Sequence, residues 1–295
     1  MTMSGYGPVV SSALLANALK RLRHDSGQQQ KQVADALEWS VSKLIRAESC
    51  RTQISRTDLK ALLRYYGVSD QERADELMTW AREARTAGWW RRFRIRDQAF
   101  ERYVGYETGC ASVRMVQGLL VPGILQTEEY ARLITRTYAT SEEIDSVILL
   151  RLERQRLLFA RAPRQHHILD EAVLRRRVGN AMPGQLQHLI ELARQPEITI
   201  QVVPFATGPH FGMRGPFVLL GFDVPLANML FLESGRRSDV IVSEQEVFPG
   251  QGIPGIHDAA EEIARYEDGF AALSRIALEP AESMSLIGQI ASQAH

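Results

Sequence analysis

The stretch Gln29-Gln30-Lys31-Gln32-Val33-Ala34-Asp35-Ala36-Leu37-Glu38-Trp39-Ser40-Val41-Ser42-Lys43-Leu44-Ile45-Arg46-Ala47-Glu48 decides how the chain is read. Val33, Ala34 and Leu37 recur at helical spacing, and Leu44 and Ala47 do the same over a second short helix that runs to about Ser49. Ser40 stands where its hydroxyl can cap that second helix. Two short helices joined so tightly pack as a helix-turn-helix only if the inward positions are small or aliphatic. Ala34, Leu37, Leu44 and Ala47 satisfy this, with Ala34 at the close crossing that tolerates a methyl-sized side chain. The outer face of the second helix then carries Val41, Ser42, Ile45 and Arg46 near its N-terminus, where side chains reach base edges in a major groove. Gln29 and Gln30 open the preceding helix and are placed to donate an amide to a phosphate. Ser40, Lys43 and Arg51 border the same face and complete the expected DNA-binding set.

Outward from this core, short helices continue on both sides. Ser11 and Ser12 are cap candidates for a helix with Leu15, Leu19 and Leu22 on one face, ended by Gly27. Ser55, with Asp58 three positions on, reads as a capping box with Asp in place of Glu, and opens a helix with Leu59, Leu62, Leu63 and Tyr66 as its apolar stripe. Gly67 stops it, and Ser69–Arg85 forms a charged fifth helix. From Gly88 the texture changes: Trp89-Trp90 and the basic run Arg91, Arg92, Arg94 and Arg96 mark a boundary. The expected domains are a mainly α helix-turn-helix domain over 1–86 and an α+β regulatory or partner-binding domain over 87–295. In the latter, helices are expected over Asp97–Leu119, Gln126–Tyr138, Ser141–Arg161, Pro183–Arg194, Ile256–Ala277 and Ala281–Ser292. Strands are expected over His166–Leu169, Ile198–Val203, Phe217–Phe222 and Met229–Leu232.

Composition narrows the function classes. The 295 residues are 45 % hydrophobic, which excludes disorder of the whole chain. Basic and acidic residues both count 35, so the molecule as a whole has no net charge to draw it to nucleic acid or anionic lipid. Residues 1–64, however, hold ten Lys and Arg against five Asp and Glu, a cationic head on a slightly acidic body. Two cysteines, Cys50 and Cys110, cannot build a disulfide framework or a structural zinc site. Met1–Val10 lacks the features of a secretory signal, and no apolar run approaches the roughly 18 residues of a membrane span, so a cytoplasmic protein without a membrane partner is expected.

Gln30 to Glu48 closely resembles the lambda-repressor-like (Xre) helix-turn-helix. The remainder is similar to the larger C-terminal domain of actinobacterial Xre regulators, WhiJ-like and antitoxin-like ones among them, a domain long catalogued without a known function. The cues are Trp89-Trp90, then Gln117-Gly118-Leu119-Leu120-Val121-Pro122-Gly123-Ile124-Leu125-Gln126-Thr127-Glu128-Glu129-Tyr130-Ala131-Arg132, Arg151 to Arg156, Leu169 to Arg176, and Val202-Val203-Pro204-Phe205. The resemblance implies a transcriptional regulator, with a small partner protein encoded nearby. A single head makes few contacts, so useful affinity implies a homodimer on a pseudo-palindromic operator in double-stranded DNA. Two alternatives stay open: an antitoxin-like protein that chiefly binds its partner and autoregulates, or a small-molecule sensor. The chain departs from the family at Glu38 and Cys50, where Gly is usual and the left-handed backbone is favoured, and at Ile45, where Ser is frequent.

Other features carry less. Arg91, Arg92, Arg94 and Arg96 are candidate partner-binding residues, against the alternatives of DNA-phosphate contact beyond the head and of a solvated face or interdomain ion-pair strip. Leu119–Leu125 is either an apolar anchor or core. Arg175-Arg176-Arg177 follows Asp170-Glu171, which points to a local charge network. Gly250-Gln251-Gly252-Ile253-Pro254-Gly255 has dinucleotide-type glycine spacing, but no βαβ unit follows, so a loop is expected. His166 and His167, adjacent on a strand, face opposite ways and cannot share a metal there. There is no nucleophile elbow and no phosphate loop, so neither an enzyme nor a cofactor is expected.

Overall fold

The first helix, α1 (Gly7–Asp25), starts ahead of the expected Ser11–Ser12 cap. Pro8 lies in its first turn, where the missing N–H costs nothing. Ser11 is instead buried within the helix and donates its hydroxyl to Glu83 Oε2 at 2.7 Å. The computed structural model describes residues 5–49, 52–234, 237–242 and 258–293, so Cys50, Arg51 and the Gly250–Gly255 segment lie outside the described residues. The chain divides into two units, one of residues up to Trp89 with Asp223–Leu226, the other of the remaining described residues from Trp90 onward.

In the first unit α1 is followed by α2 (Gln30–Ala36), α3 (Val41–Glu48), α4 (Arg56–Tyr65) and α5 (Gln71–Glu83). Their interior is made of Leu14, Leu15 and Leu19 of α1, Val33 and Ala34, Leu44, Leu59 and Leu62, and Leu77 with Trp80. Gly27 and Gly67 both have positive φ and end α1 and α4, as their positions predict. Ser55 accepts from the Asp58 N–H at 2.9 Å, which is the forward half of the expected box.

The second unit is α+β. The helix expected over Asp97–Leu119 is two elements, α6 (Gln98–Glu107) and the strand β1 (Ser112–Gln117). A turn at Thr108–Gly109 separates them, and the mixed pattern of β1, with Arg114 between apolar neighbours, masks the strand. Then come α7 (Glu128–Thr135), α8 (Ser141–Arg161), β2 (Arg164–Asp170), α9 (Glu171–Arg175), α10 (Ala181–Leu192), β3 (Ile198–Val203), β4 (Phe217–Gly221), β5 (Met229–Ser234), β6 (Arg237–Val242), α11 (Ala259–Ile276) and α12 (Pro280–Gln293). The sheet order is β3-β2-β1-β4-β5-β6. The first three strands are parallel, and β4 to β6 form an antiparallel meander on β1.

Both faces of the sheet are covered, which explains why β4 reads as an unbroken apolar run. On one face Ile263, Tyr266, Phe270 and Leu273 of α11 pack on Val116, Ile168, Phe217, Leu219 and Leu230. Gly269 of α11 belongs to this contact: a Cβ there would lie 2.4 Å from Cε1 of Phe211, whose ring fills the space. On the other face Tyr103 of α6 stacks on Phe231, with ring centroids 4.4 Å apart. Arg154 of α8, buried, holds Glu107 of α6 in a two-point pair at 2.9 and 2.8 Å, and its guanidinium lies over the Phe100 and Tyr103 rings. Cys110 is buried, and burial pushes its thiol well above the ordinary range, as suits a packing residue.

Among the described residues, burial disfavours the charged form of three histidines. His167 faces the interior beside Gln165 and its pKa is pushed down to about 3, while His166 and His188 are shifted in the same direction. Each binds its proton more weakly folded than unfolded, so the stability they allow is complete above the ordinary value of 6.5 and is lost as pH falls below it. The melting temperature should therefore decline between about pH 7 and about pH 5, before most carboxylates titrate. His167→Gln should flatten that limb; an equally steep limb in the variant would assign it to other groups.

Candidate nucleic-acid interface

Gln29 is the N-cap of α2, and its backbone N–H donates to Gln32 Oε1 at 2.8 Å. The helix ends on a reversal in which the Trp39 N–H donates to Ala34 O at 2.8 Å and the Glu38 N–H to Asp35 O at 3.2 Å. That reversal requires a left-handed residue, and Glu38 supplies it at φ 55°. Ser40 then caps α3, accepting from the Lys43 N–H at 3.2 Å. Within the pair, Ala34, Leu44 and Ala47 are buried and Leu37 is half-buried, while Val41, Ser42, Ile45 and Arg46 are exposed. Among the described residues of the head, Val41 and Ile45 are the exposed large apolar side chains, an arrangement suited to thymine methyl groups. No ion pair among the described residues engages the Arg46 guanidinium.

Two of the expected contact residues have inward partners. Gln30 donates its amide to Glu48 Oε2 at 2.8 Å, which leaves one N–H and the carbonyl oxygen for an outside group. Lys43 pairs with Asp58 Oδ1 at 2.8 Å and lies over the Trp39 ring at 4.0 Å, so it braces α3 against α4. Partial burial raises the Asp58 pKa, but hydrogen bonds from Lys43 and Ser55 outweigh it and hold the carboxyl below its ordinary value. Arg51 lies outside the described residues.

Sequence reading misses Glu48. It is buried at the end of α3 and takes Arg23 Nε of α1 at 2.6 Å and the Gln30 amide of α2. One carboxylate thus ties three helices and sets the rotation of α3. Burial, then the Glu48 charge, push the neighbouring Tyr66 phenol above its ordinary range. A second omission is the row Arg56, Lys60 and Arg64, four residues apart on α4. These exposed cations line an open hollow of about 470 Å³ with Thr57 and Ala61, and the described residues hold no ion pair to them. Four-residue spacing is the signal that could have found them.

The basic run after the head is partly engaged. Arg92 pairs with Glu153 at 3.0 Å and Arg96 with Glu143 at 2.6 Å, both on α8, so these pairs lie within the second unit and do not bridge domains. Arg91 and Arg94 are exposed. Val121, Ile124 and Leu125 are buried, so Leu119–Leu125 is mainly core, with Leu119 alone of that run exposed. Arg175 pairs with Glu171 at 2.6 Å, as a local charge network requires, whereas Arg176 donates to Leu119 O. Among the described residues no group of three His, Cys, Asp or Glu could hold a metal ion, and no helix is long and apolar enough to cross a membrane.

Removing the Glu48 carboxylate strands the Arg23 charge in the interior. Glu48→Leu should lower head stability by about 3 kcal/mol, and Arg23→Leu in the same chain should restore much of it. Denaturant unfolding of the single and double variants measures this; strictly additive losses would show that the two groups are not coupled.

Residues 14–76, spanning α2 and α3 and reaching into α1 and α5, match the family model of a helix-turn-helix domain. No curated protein and no solved structure matches the chain. Residues 100–289, most of the second unit, match the family model described as Domain of unknown function (DUF5753), and the chain belongs to that family.

Proposed function

We propose that this protein is a sequence-specific, non-catalytic transcriptional regulator that docks α3 in the DNA major groove. Its second unit would mediate homodimerisation on a pseudo-palindromic operator and receive a signal from a partner protein. The observation that carries the DNA reading is the exposed set Val41, Ser42, Ile45 and Arg46 on a helix whose rotation is set from behind by Glu48. The cap at Ser40, the helix-turn-helix match and the basic surplus of residues 1–64 support it. The size of the second unit supports a regulatory role for it, since a bare dimer clamp could be far smaller.

Each class of contact has its own signature in binding experiments. Arg46→Ala should cost about 1–3 kcal/mol and relax preference at one base pair, because a guanidinium on a base edge reads sequence. Gln30→Ala should weaken all sites about equally, through loss of a phosphate anchor together with its bond to Glu48. Binding to a selected operator and to its single-base variants separates the two; unchanged affinity and preference in Arg46→Ala would show that α3 is docked otherwise.

Arg56, Lys60 and Arg64 extend the basic surface beyond α3 and fit DNA phosphates. Replacing all three with Ala should reduce the slope of log affinity against log salt by about 0.9 for each phosphate no longer neutralised, with base preference intact. A slope equal to that of the unaltered protein would exclude α4 from the interface.

A further inference from the structure

Several exposed apolar side chains of the second unit gather at one end of its sheet. Leu119, 60 % exposed, follows β1; Phe205, 58 % exposed, follows β3; and Met213, 66 % exposed, precedes β4. The end of β1 and the start of β4 are neighbours, since Val116 pairs with Phe217 in antiparallel register, while β1, β2 and β3 end together as parallel strands. The loops that present these residues are tied from below. His210 Nε2 meets Asp170 Oδ2 at 3.1 Å, the Phe205 N–H donates to Glu171 Oε2 at 2.8 Å, and Arg176 Nε donates to Leu119 O at 3.0 Å. Gly212 closes over the His210 ring so tightly that a Cβ would sit 3.1 Å from Nδ1. The apolar groups thus stand on an organised platform.

Arginines border them. Arg175, Arg176, Arg177 and Arg214 are all exposed. The carboxylates beneath them are occupied, Asp170 by His210 and Glu171 by Arg175 and the Phe205 N–H. Arg214 rests on the Phe211 ring, and neither it nor Arg177 has an ion pair among the described residues.

We propose that this end of the sheet is the docking surface for an acidic segment of a partner protein, with apolar anchors on Leu119, Phe205 and Met213 and carboxylates on Arg177 and Arg214. The proposal rests on the reading that the second unit receives a protein signal. Exposed Phe, Met and Arg together are the composition of a binding patch. DNA is disfavoured as the occupant because phosphates gain nothing from an apolar centre. A second copy in a two-fold contact would set the arginine rim against itself.

The test is selection of a displayed random-peptide library against the full chain, followed by titration of the enriched peptides. The enriched peptides should carry several Asp or Glu beside apolar anchors. Both the double variant Phe205→Ser, Met213→Ser and the double variant Arg177→Glu, Arg214→Glu should bind them at least about tenfold more weakly, with unchanged melting temperature and operator binding. Enrichment without acidic bias, or peptides that bind both variants undiminished, would overturn the proposal. So would loss of a wild-type dimer in the Phe205, Met213 variant by sedimentation, since the surface would then serve self-association. Peptide binding by a chain that fails to bind any operator would leave the docking surface standing and defeat the DNA reading instead.

Discussion

Glu48 carries a carboxylate into the packed interior of the head, where an uncompensated charge would cost several kcal/mol. Arg23 Nε and the Gln30 amide compensate it from two other helices, and that requirement constrains the geometry of the whole unit. With Glu48 held, α3 cannot roll about its axis without breaking a charge-assisted bond, so Val41, Ser42, Ile45 and Arg46 stay turned outward. The Lys43–Asp58 pair fixes the other flank against α4. Polar residues thus set the orientation of α3, while Ala34, Leu44 and Ala47 set its distance.

The parts of this arrangement that are legible in the sequence are those with a local signature. Ser40 as a cap and Gly27 and Gly67 as stops follow from neighbours a few positions away, Glu38 as a left-handed residue follows from the resemblance to a family with Gly there, and the structure shows each of them. The bounds of α8 and β3 match the helix expected over Ser141–Arg161 and the apolar run expected as a strand over Ile198–Val203. The Glu48 clamp is not legible because its partners are 18 and 25 residues distant, on other helices, and no periodicity relates them. Lys43 reads as an outward residue for the same reason, since its partner Asp58 has the local signature of a cap residue alone. Strands β1 and β6 escape sequence reading because Arg114 in the one, and Arg237 and Asp239 in the other, disguise elements whose pairing depends on sequence far away.

The second unit repeats the logic of the first on a larger scale. Arg154 and Glu107 are enclosed between α6 and α8, and their two-point geometry, with Tyr103 beside it, specifies one arrangement of helices over the β5 side of the sheet. Ala162, at φ 49°, ends α8 in the left-handed region so that the chain can turn directly into β2. Neither feature has a glycine or a charge run to announce it.

The contact of Phe211 with Gly269 bears on how such a chain can change over generations. The ring occupies the volume in which any Cβ at 269 would have to sit, so the two positions share one space. A side chain at 269 requires the ring at 211 to shift or to become smaller, and a chain with neither group present holds a void against Tyr266 and Phe217. The two positions are therefore coupled. Among related chains, aromatic residues at the first position should accompany glycine at the second, as a correlated pair rather than as two independent preferences.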